Sequence, residues 1–256
     1  MERACPNPTL ENLLASRSAI RRGAAGHEPA GGVPSGYAAL DAALPTGGWA
    51  RGAVTELLCE TPGIGELSLL LPALRTLTAA GRWAALVNPP HIPYAPALAN
   101  AGIALERLLV VECPGEADAL WAAELLLREG VVAATALWVT RTTPARQRRL
   151  QLAAADGRAF CVVYRPGEAR EEHSPVAARI ALAVRDGRLE LELVKLRGGR
   201  PRTVTLDPAL FDAAQGAEWP LVPCPALTTR PVPPAVVALA PRVLSGRPAR
   251  STSLER

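Results

Sequence analysis

Lysine is all but missing from this chain: Lys195 is the single one among 28 basic residues, and the rest are arginine. Aromatic residues make up only 4%, so a core must be assembled mostly from Leu, Val and Ala. Histidine is as scarce. His27, His91 and His173 are far apart, which leaves little material for a Ser/His or Cys/His nucleophile; His91, beside two prolines, reads as a loop residue. Neither a G-x-S-x-G elbow nor an H-E-x-x-H pair occurs, so the signatures of serine hydrolases and zinc proteases are absent. The five cysteines, Cys5, Cys59, Cys113, Cys161 and Cys224, are odd in number and widely spaced. They spell out neither a disulfide framework nor a zinc site and read as small apolar residues of a reduced compartment. No apolar run approaches the roughly 20 residues that cross a bilayer, and the N-terminus lacks the apolar core of a secretory signal. The expectation is a cytoplasmic protein with no membrane contact, no metal and no cofactor.

What is present describes a globular chain. Its 256 residues are 49% hydrophobic and 20% charged, with a mean hydropathy of +0.13, enough for one large domain with a real core. The net charge of +4 and pI of 9.0 allow nucleic-acid contact without requiring it.

Punctuation divides the chain into residues 1–36, 37–202 and 203–256. The spacing predicts a helix over 9–22, capped by Thr9 or Asn7, with Leu10, Leu13 and Leu14 on one stripe. A Gly- and Pro-rich linker over 23–36 detaches it. A detached amphipathic helix needs a partner surface, on its own domain or on another protomer, so these leucines are a candidate docking stripe. A short helix over 37–44 and a strand over 53–59 follow, then a glycine-containing loop and a helix over 66–80. Further strands over 83–87, 108–112, 135–139 and 160–164 alternate with helices over 94–101, 116–129 and 144–155. That alternation predicts an α/β fold with a mostly parallel sheet covered on both faces. Residues 178–185 and 188–195 flank Asp186-Gly187, a hairpin signature that adds antiparallel strands at the end. From 203 onward proline is dense and Arg242, Arg247, Arg250 and Arg256 accumulate, predicting a disordered or extended tail.

The loop after the first strand is the informative site. A phosphate loop, G-x-x-x-x-G-K-[ST], uses backbone N–H groups to wrap phosphates, a lysine to neutralise them and a hydroxyl to hold magnesium. With Gly65 as the second glycine, Glu60 stands at the first, Glu66 at the lysine position and Leu67 at the hydroxyl position. Gly63 and Gly65 remain as anion-friendly backbone, but Glu66 sets a carboxylate against any polyphosphate. The strand over 135–139 carries no acid to hold magnesium or orient water. Pro72 removes a hydrogen bond from the following helix. No ATPase chemistry is expected.

The run Ser35-Gly36-Tyr37-Ala38-Ala39-Leu40-Asp41-Ala42-Ala43-Leu44, followed by Arg51-Gly52-Ala53-Val54-Thr55-Glu56-Leu57, resembles the entry to the RecA core. Pro114-Gly115-Glu116-Ala117-Asp118-Ala119-Leu120 resembles the next helix start of that family, and Leu193-Val194-Lys195-Leu196-Arg197 its closing strands. Within that superfamily, Pro34-Ser35-Gly36, Glu56-Leu57-Leu58-Cys59, Thr61 to Leu70 and Pro114 to Glu124 resemble the ImuA family of damage-induced mutagenesis. The resemblance implies a RecA-like core with a C-terminal antiparallel hairpin. It also implies an SOS-induced accessory role in translesion DNA synthesis. The implied partners are an ImuB-like Y-family polymerase protein, RecA and an error-prone DNA polymerase complex. Relatedness to SulA-type division inhibitors implies an alternative role in binding FtsZ, and a residual nucleotide-binding switch is a third reading.

Lys195 and Arg197 fall where RecA carries basic residues that reach a neighbouring protomer's nucleotide, which makes them candidate phosphate contacts in trans to RecA-bound ATP. Arg141, Arg146, Arg148 and Arg149 form the densest basic cluster. They are a candidate for weak, salt-sensitive DNA contact, with no aromatic residue interleaved for base stacking.

Overall fold

The seven-residue strand β1 (Ala53–Cys59) is buried at every position. It sits inside the sheet, with β5 (Phe160–Pro166) on one side and β6 (Ala178–Arg185) on the other, both parallel to it. The structure, a computed structural model, describes residues 31–61, 63–207 and 235–238. In it β2 (Ala84–Val87), β3 (Leu108–Glu112) and β4 (Ala134–Trp138) extend the parallel sheet, while β7 (Arg188–Leu196) and β8 (Arg202–Leu206) pair antiparallel beyond β6. A short β9 (Ala235–Ala238) runs parallel to β3. The order is β8-β7-β6-β1-β5-β4-β2-β3-β9. The expected α/β architecture, mostly parallel with an antiparallel hairpin at the end, is the one observed.

The connections explain the layers. From β1 to β2 and from β2 to β3 the chain advances across the sheet, through α2 (Leu71–Ala79) and α3 (Ala95–Asn100). From β3 to β4 and from β4 to β5 it returns, through α4 (Glu116–Arg128) and α5 (Pro144–Gly157). Right-handed crossovers in opposite directions must lie on opposite faces. Two separate apolar clusters result. Leu57, Leu74, Leu86 and Leu98 pack on the α2/α3 face, and Val54, Leu120, Leu127 and Leu150 on the α4/α5 face.

Two local outcomes differ from the sequence reading. The helix over 37–44 is only α1 (Ala38–Asp41), because the Asp41 carboxylate turns back to accept the Ser35 N–H at 2.8 Å. The hairpin forms as expected, with Asp186 at φ 50 and Gly187 at φ 71, the positive angles a two-residue primed turn demands. The region from 203, however, contributes two strands. Val204 and Leu206 alternate inward opposite Leu191 and Leu189, and prolines begin only at 208. Ala-Val-Val-Ala is a proline-free window between Pro234 and Pro241 that can donate a full ladder to β3. Leu10, Leu13 and Leu14, and the arginines of the tail, lie outside the described residues.

A charged cluster stands in the apolar centre. Glu56 of β1 is fully buried. Its carboxylate accepts the Arg179 Nε–H at 2.7 Å and lies 3.5 Å from Arg165 Nη1, and the Gln147 side-chain amide of α5 donates to it. Arg179 spends its remaining donors on the carbonyls of Ala169, Arg170 and Glu172. Arg165 reaches the Thr140 carbonyl at 3.3 Å and the Glu172 carboxylate at 2.8 Å. Three strands, one helix and the turn after β5 therefore meet at one carboxylate. Removing one partner of such a buried set strands a charge in low dielectric. Glu56→Ala should destabilise the fold by about 3–5 kcal/mol. Breaking the exposed Arg170–Glu192 pair should cost under about 1 kcal/mol. Urea unfolding of the two variants checks the contrast.

Candidate functional site

The carboxyl edge of a parallel sheet is where such folds place ligands, and here it holds the loop that links β1 to α2. Gly65 takes φ 90, a left-handed conformation that glycine adopts without strain. A 3-10 turn over Glu66–Leu69 then closes with Ser68 N–H on the Gly65 carbonyl and Leu70 N–H on the Leu67 carbonyl, both at 2.9 Å. The α-helix begins only at Leu71, with Pro72 in its first turn and both residues buried. A single helix over 66–80 is therefore not formed. Pro72 lacks the N–H that would carry a helix back to Ser68, and its ring is pressed against the entry segment. A side chain on Gly36, at φ 88, would meet Pro72 Cβ at 2.4 Å.

The side chains at the phosphate-binding positions point to other work. The Glu66 carboxylate accepts the Gly63 N–H at 3.2 Å, so the loop supplies its own anion. Leu67, expected from the sequence to replace a magnesium-binding hydroxyl, packs on the α2/α3 core together with Ile64. Two buried tyrosines clamp the 3-10 turn. Tyr37 OH donates to the Ser68 carbonyl at 3.0 Å and Tyr164 OH to the Glu66 carbonyl at 3.1 Å, and the Tyr164 ring stacks on Trp138 at 4.6 Å. Burial pushes the Tyr37 phenol up to about 12. Burial, then Glu66, does the same to the Cys59 thiol.

The neighbouring strand ends are occupied as well. Asn88, at φ 51, donates its N–H to the Val111 carbonyl and accepts the Cys113 N–H on Oδ1 at 2.7 Å, fastening β2 to β3. Glu116 of α4 uses its carboxylate on the Thr140 and Arg141 N–H groups. Among the described residues no three His, Cys, Asp or Glu side chains are grouped to hold a metal. No helix there is long and apolar enough to cross a membrane. The hollow beside β1, about 320 Å³, is lined by Glu60, Glu168 and Glu171 with Arg170, a rim that disfavours a polyphosphate.

Of the four candidate DNA-contacting arginines, Arg149 is paired with Glu124 at 2.8 Å. Arg141, Arg146 and Arg148 are exposed and make no ion pair among the described residues. Lys195 and Arg197 do not approach the 63–67 loop of their own chain. Lys195 pairs in register with Arg179, level with Glu56, and its ammonium donates to the Ser174 carbonyl at 2.7 Å. Burial lowers its pKa, with the charges of Arg197 and Arg179 adding to the effect. The Glu56 assembly escaped the sequence reading, although a lone glutamate in the run Ala53–Cys59 was the available signal. A buried carboxylate requires cations, and Arg165 and Arg179 stand on the two strands that flank it.

Cys59, Cys161 and Tyr37 are held neutral by burial up to about 12, from ordinary values of 9.0, 9.0 and 10.0. The unfolded chain ionises these groups first, so the folded state binds more protons and stability falls as pH rises from about 9 toward 12. The expected slope is about 1.4 kcal/mol per pH unit for each such group. Urea midpoints across that range should show the fall, and Cys161→Ala should make it shallower. A flat profile would contradict the burial of these groups.

Comparison with known proteins gives the relationships. RecA of Mycobacterium bovis is 30% identical over 123 residues, 48% of this chain and 15% of that protein. RecA 1 of Myxococcus xanthus is 34% identical over 100 residues, 39% of this chain and 29% of that protein. The chain thus spans less than a third of the length of these two relatives. The crystal structure of SulA from Pseudomonas aeruginosa shows 30% identity, covering 44% of this chain and 98% of that one, with a TM-score of 0.38. The family profile described as MT3502 N-terminal domain matches residues 42–184. That span takes in β1 through most of β6, more than half of the chain, and the protein belongs to the MT3502 N-terminal domain family.

Proposed function

We propose that this chain is a non-catalytic RecA-like accessory protein of SOS-induced translesion DNA synthesis, acting through an ImuB-type polymerase protein, RecA or both. The observation that carries the reading is the Glu66 carboxylate on the Gly63 N–H, beside Leu67 turned into the core. A loop that provides its own anion opposes ATP by charge and by occupation. The low-identity relationship to RecA supports a common ancestry of the core. The ImuA-like motifs around Gly36, Gly65 and Glu116 support the narrower assignment.

With no ATP turnover of its own, such a protein acts by contact. Arg141, Arg146 and Arg148 offer an exposed basic patch for weak backbone contact with DNA in the same complex. Lys195 and Arg197, remote from their own loop, suit a role in trans on RecA-bound ATP.

The purified chain should fail to bind a fluorescent ATP analogue with magnesium, should retain an ImuB-type protein or RecA in a pull-down, and should alter RecA ATPase. Turnover by the chain alone would overturn the non-catalytic reading. Retention of FtsZ instead would transfer the protein to the division-inhibitor class. Lys195→Glu, in a protein that still unfolds cooperatively, should abolish the change in RecA ATPase; an unchanged effect removes the trans role.

A further inference from the structure

Large apolar side chains on a surface are informative when they stand together. Among the described residues Ile92 is 87% exposed and Tyr94 71%, and they are two positions apart. Val131, Leu152 and Val184 are less exposed and stand singly. Ile92 and Tyr94 belong to the loop that carries β2 into α3, at the carboxyl edge of the sheet.

That loop is held in shape. At its start Asn88 donates its N–H to the Val111 carbonyl at 2.8 Å and accepts the Cys113 N–H at 2.7 Å. At its end Tyr94 stands just ahead of α3, where its carbonyl accepts the Ala97 and Leu98 N–H groups at 3.0 and 3.2 Å, and Leu98 is buried. Pro89, Pro90 and Pro93 fix φ in between, and Pro93 biases Ile92 toward extended backbone. Apolar side chains on a loop with so little freedom lose little entropy on meeting a partner. Tyrosine is among the residue types that anchor protein interfaces.

The surrounding charge selects the kind of partner. No lysine or arginine stands between Arg82 and Arg107. Val87 pairs with Val111, so the exposed Glu112 leaves β3 level with the foot of the loop. Arg146 and Arg148 lie on α5, which packs on the other face of the sheet from α3. A nucleic acid is repelled by the Glu112 carboxylate and meets no cation on the loop itself. A protein whose apolar socket is bordered by arginine or lysine is attracted. In the sheet β2 stands five places from β7, which carries Lys195, about 24 Å at the spacing of neighbouring strands. The loop is therefore separate from the surface assigned to RecA-bound ATP.

We propose that Ile92 and Tyr94 anchor a protein-docking surface, and that its occupant is a protein with an apolar socket bordered by cationic side chains. Resting on the accessory reading above, that occupant is the ImuB-type polymerase protein rather than RecA. Protein and DNA then meet the chain on different faces of one sheet edge.

Titration of the full chain with a purified ImuB-type protein tests this, with RecA and a single-stranded oligonucleotide as the other probes. Ile92→Ser together with Tyr94→Ser should weaken binding of the ImuB-type protein by at least about tenfold. The urea midpoint should stay in place, because both side chains are exposed. Tyr94→Phe alone should keep most of the affinity. Glu112→Lys should also weaken binding, and more so at low salt. Leu152→Ser, an exposed leucine of α5 outside this surface, should change nothing. Unchanged affinity in the double variant overturns the proposal and leaves the accessory reading standing. A loss confined to RecA or to the oligonucleotide gives the surface to that partner and also overturns it. A wild-type chain that holds neither protein overturns the accessory reading together with this one.

Discussion

A carboxylate buried among apolar strands is stable only if its charge is met, and in this protein that requirement organises the sheet. Glu56 draws Arg165 from β5, Arg179 from β6 and Gln147 from α5 onto one point. The arginines then use their spare N–H groups to hold carbonyls over 169–172 and at Thr140. Such an assembly contributes little net stability, because desolvation offsets most of the attraction. It acts as a specification. A register slip of one residue in β6 would turn Arg179 away from Glu56 and leave both charges unmet.

That fixed frame determines what the carboxyl edge can be. The segment following β5 is short and tied by Arg179, Arg165 and Lys195, while the exit of β4 is tied by Glu116. Loops held at both ends by charged hydrogen bonds suit recognition by a preformed surface. The loop over 63–67 follows the same pattern, since Glu66 takes up the Gly63 N–H while Tyr37 and Tyr164 hold the Ser68 and Glu66 carbonyls.

Much of the architecture was legible in the residues. The apolar runs over 53–59 and 160–164 read as strands and are buried strands, and Asp186-Gly187 supplied the positive φ angles of a hairpin turn. The two late strands were obscured by proline density, an average over a long window that hid the short proline-free stretches of β8 and β9. The candidate site divided the same way. Glu66 and Leu67 were readable as wrong for phosphate because charge and hydroxyl chemistry belong to residue types. The partners of Glu66 were not, because the Gly63 N–H and the Tyr164 hydroxyl meet it through a turn and through a strand 98 residues away.

The sequence alone thus determined the alternation of strands and helices, the turn at Asp186-Gly187 and the absence of a lysine and a hydroxyl at positions 66 and 67. Each of these follows from local periodicity or from the chemistry of a single side chain. Only the tertiary structure decided that Glu56 is a buried hub, that Arg149 is paired while Arg141, Arg146 and Arg148 are exposed, and that Lys195 lies level with Glu56 rather than beside its own loop. These are long-range facts, set by which strands become neighbours, and strand order is fixed by crossover direction and by the pairing of buried charges.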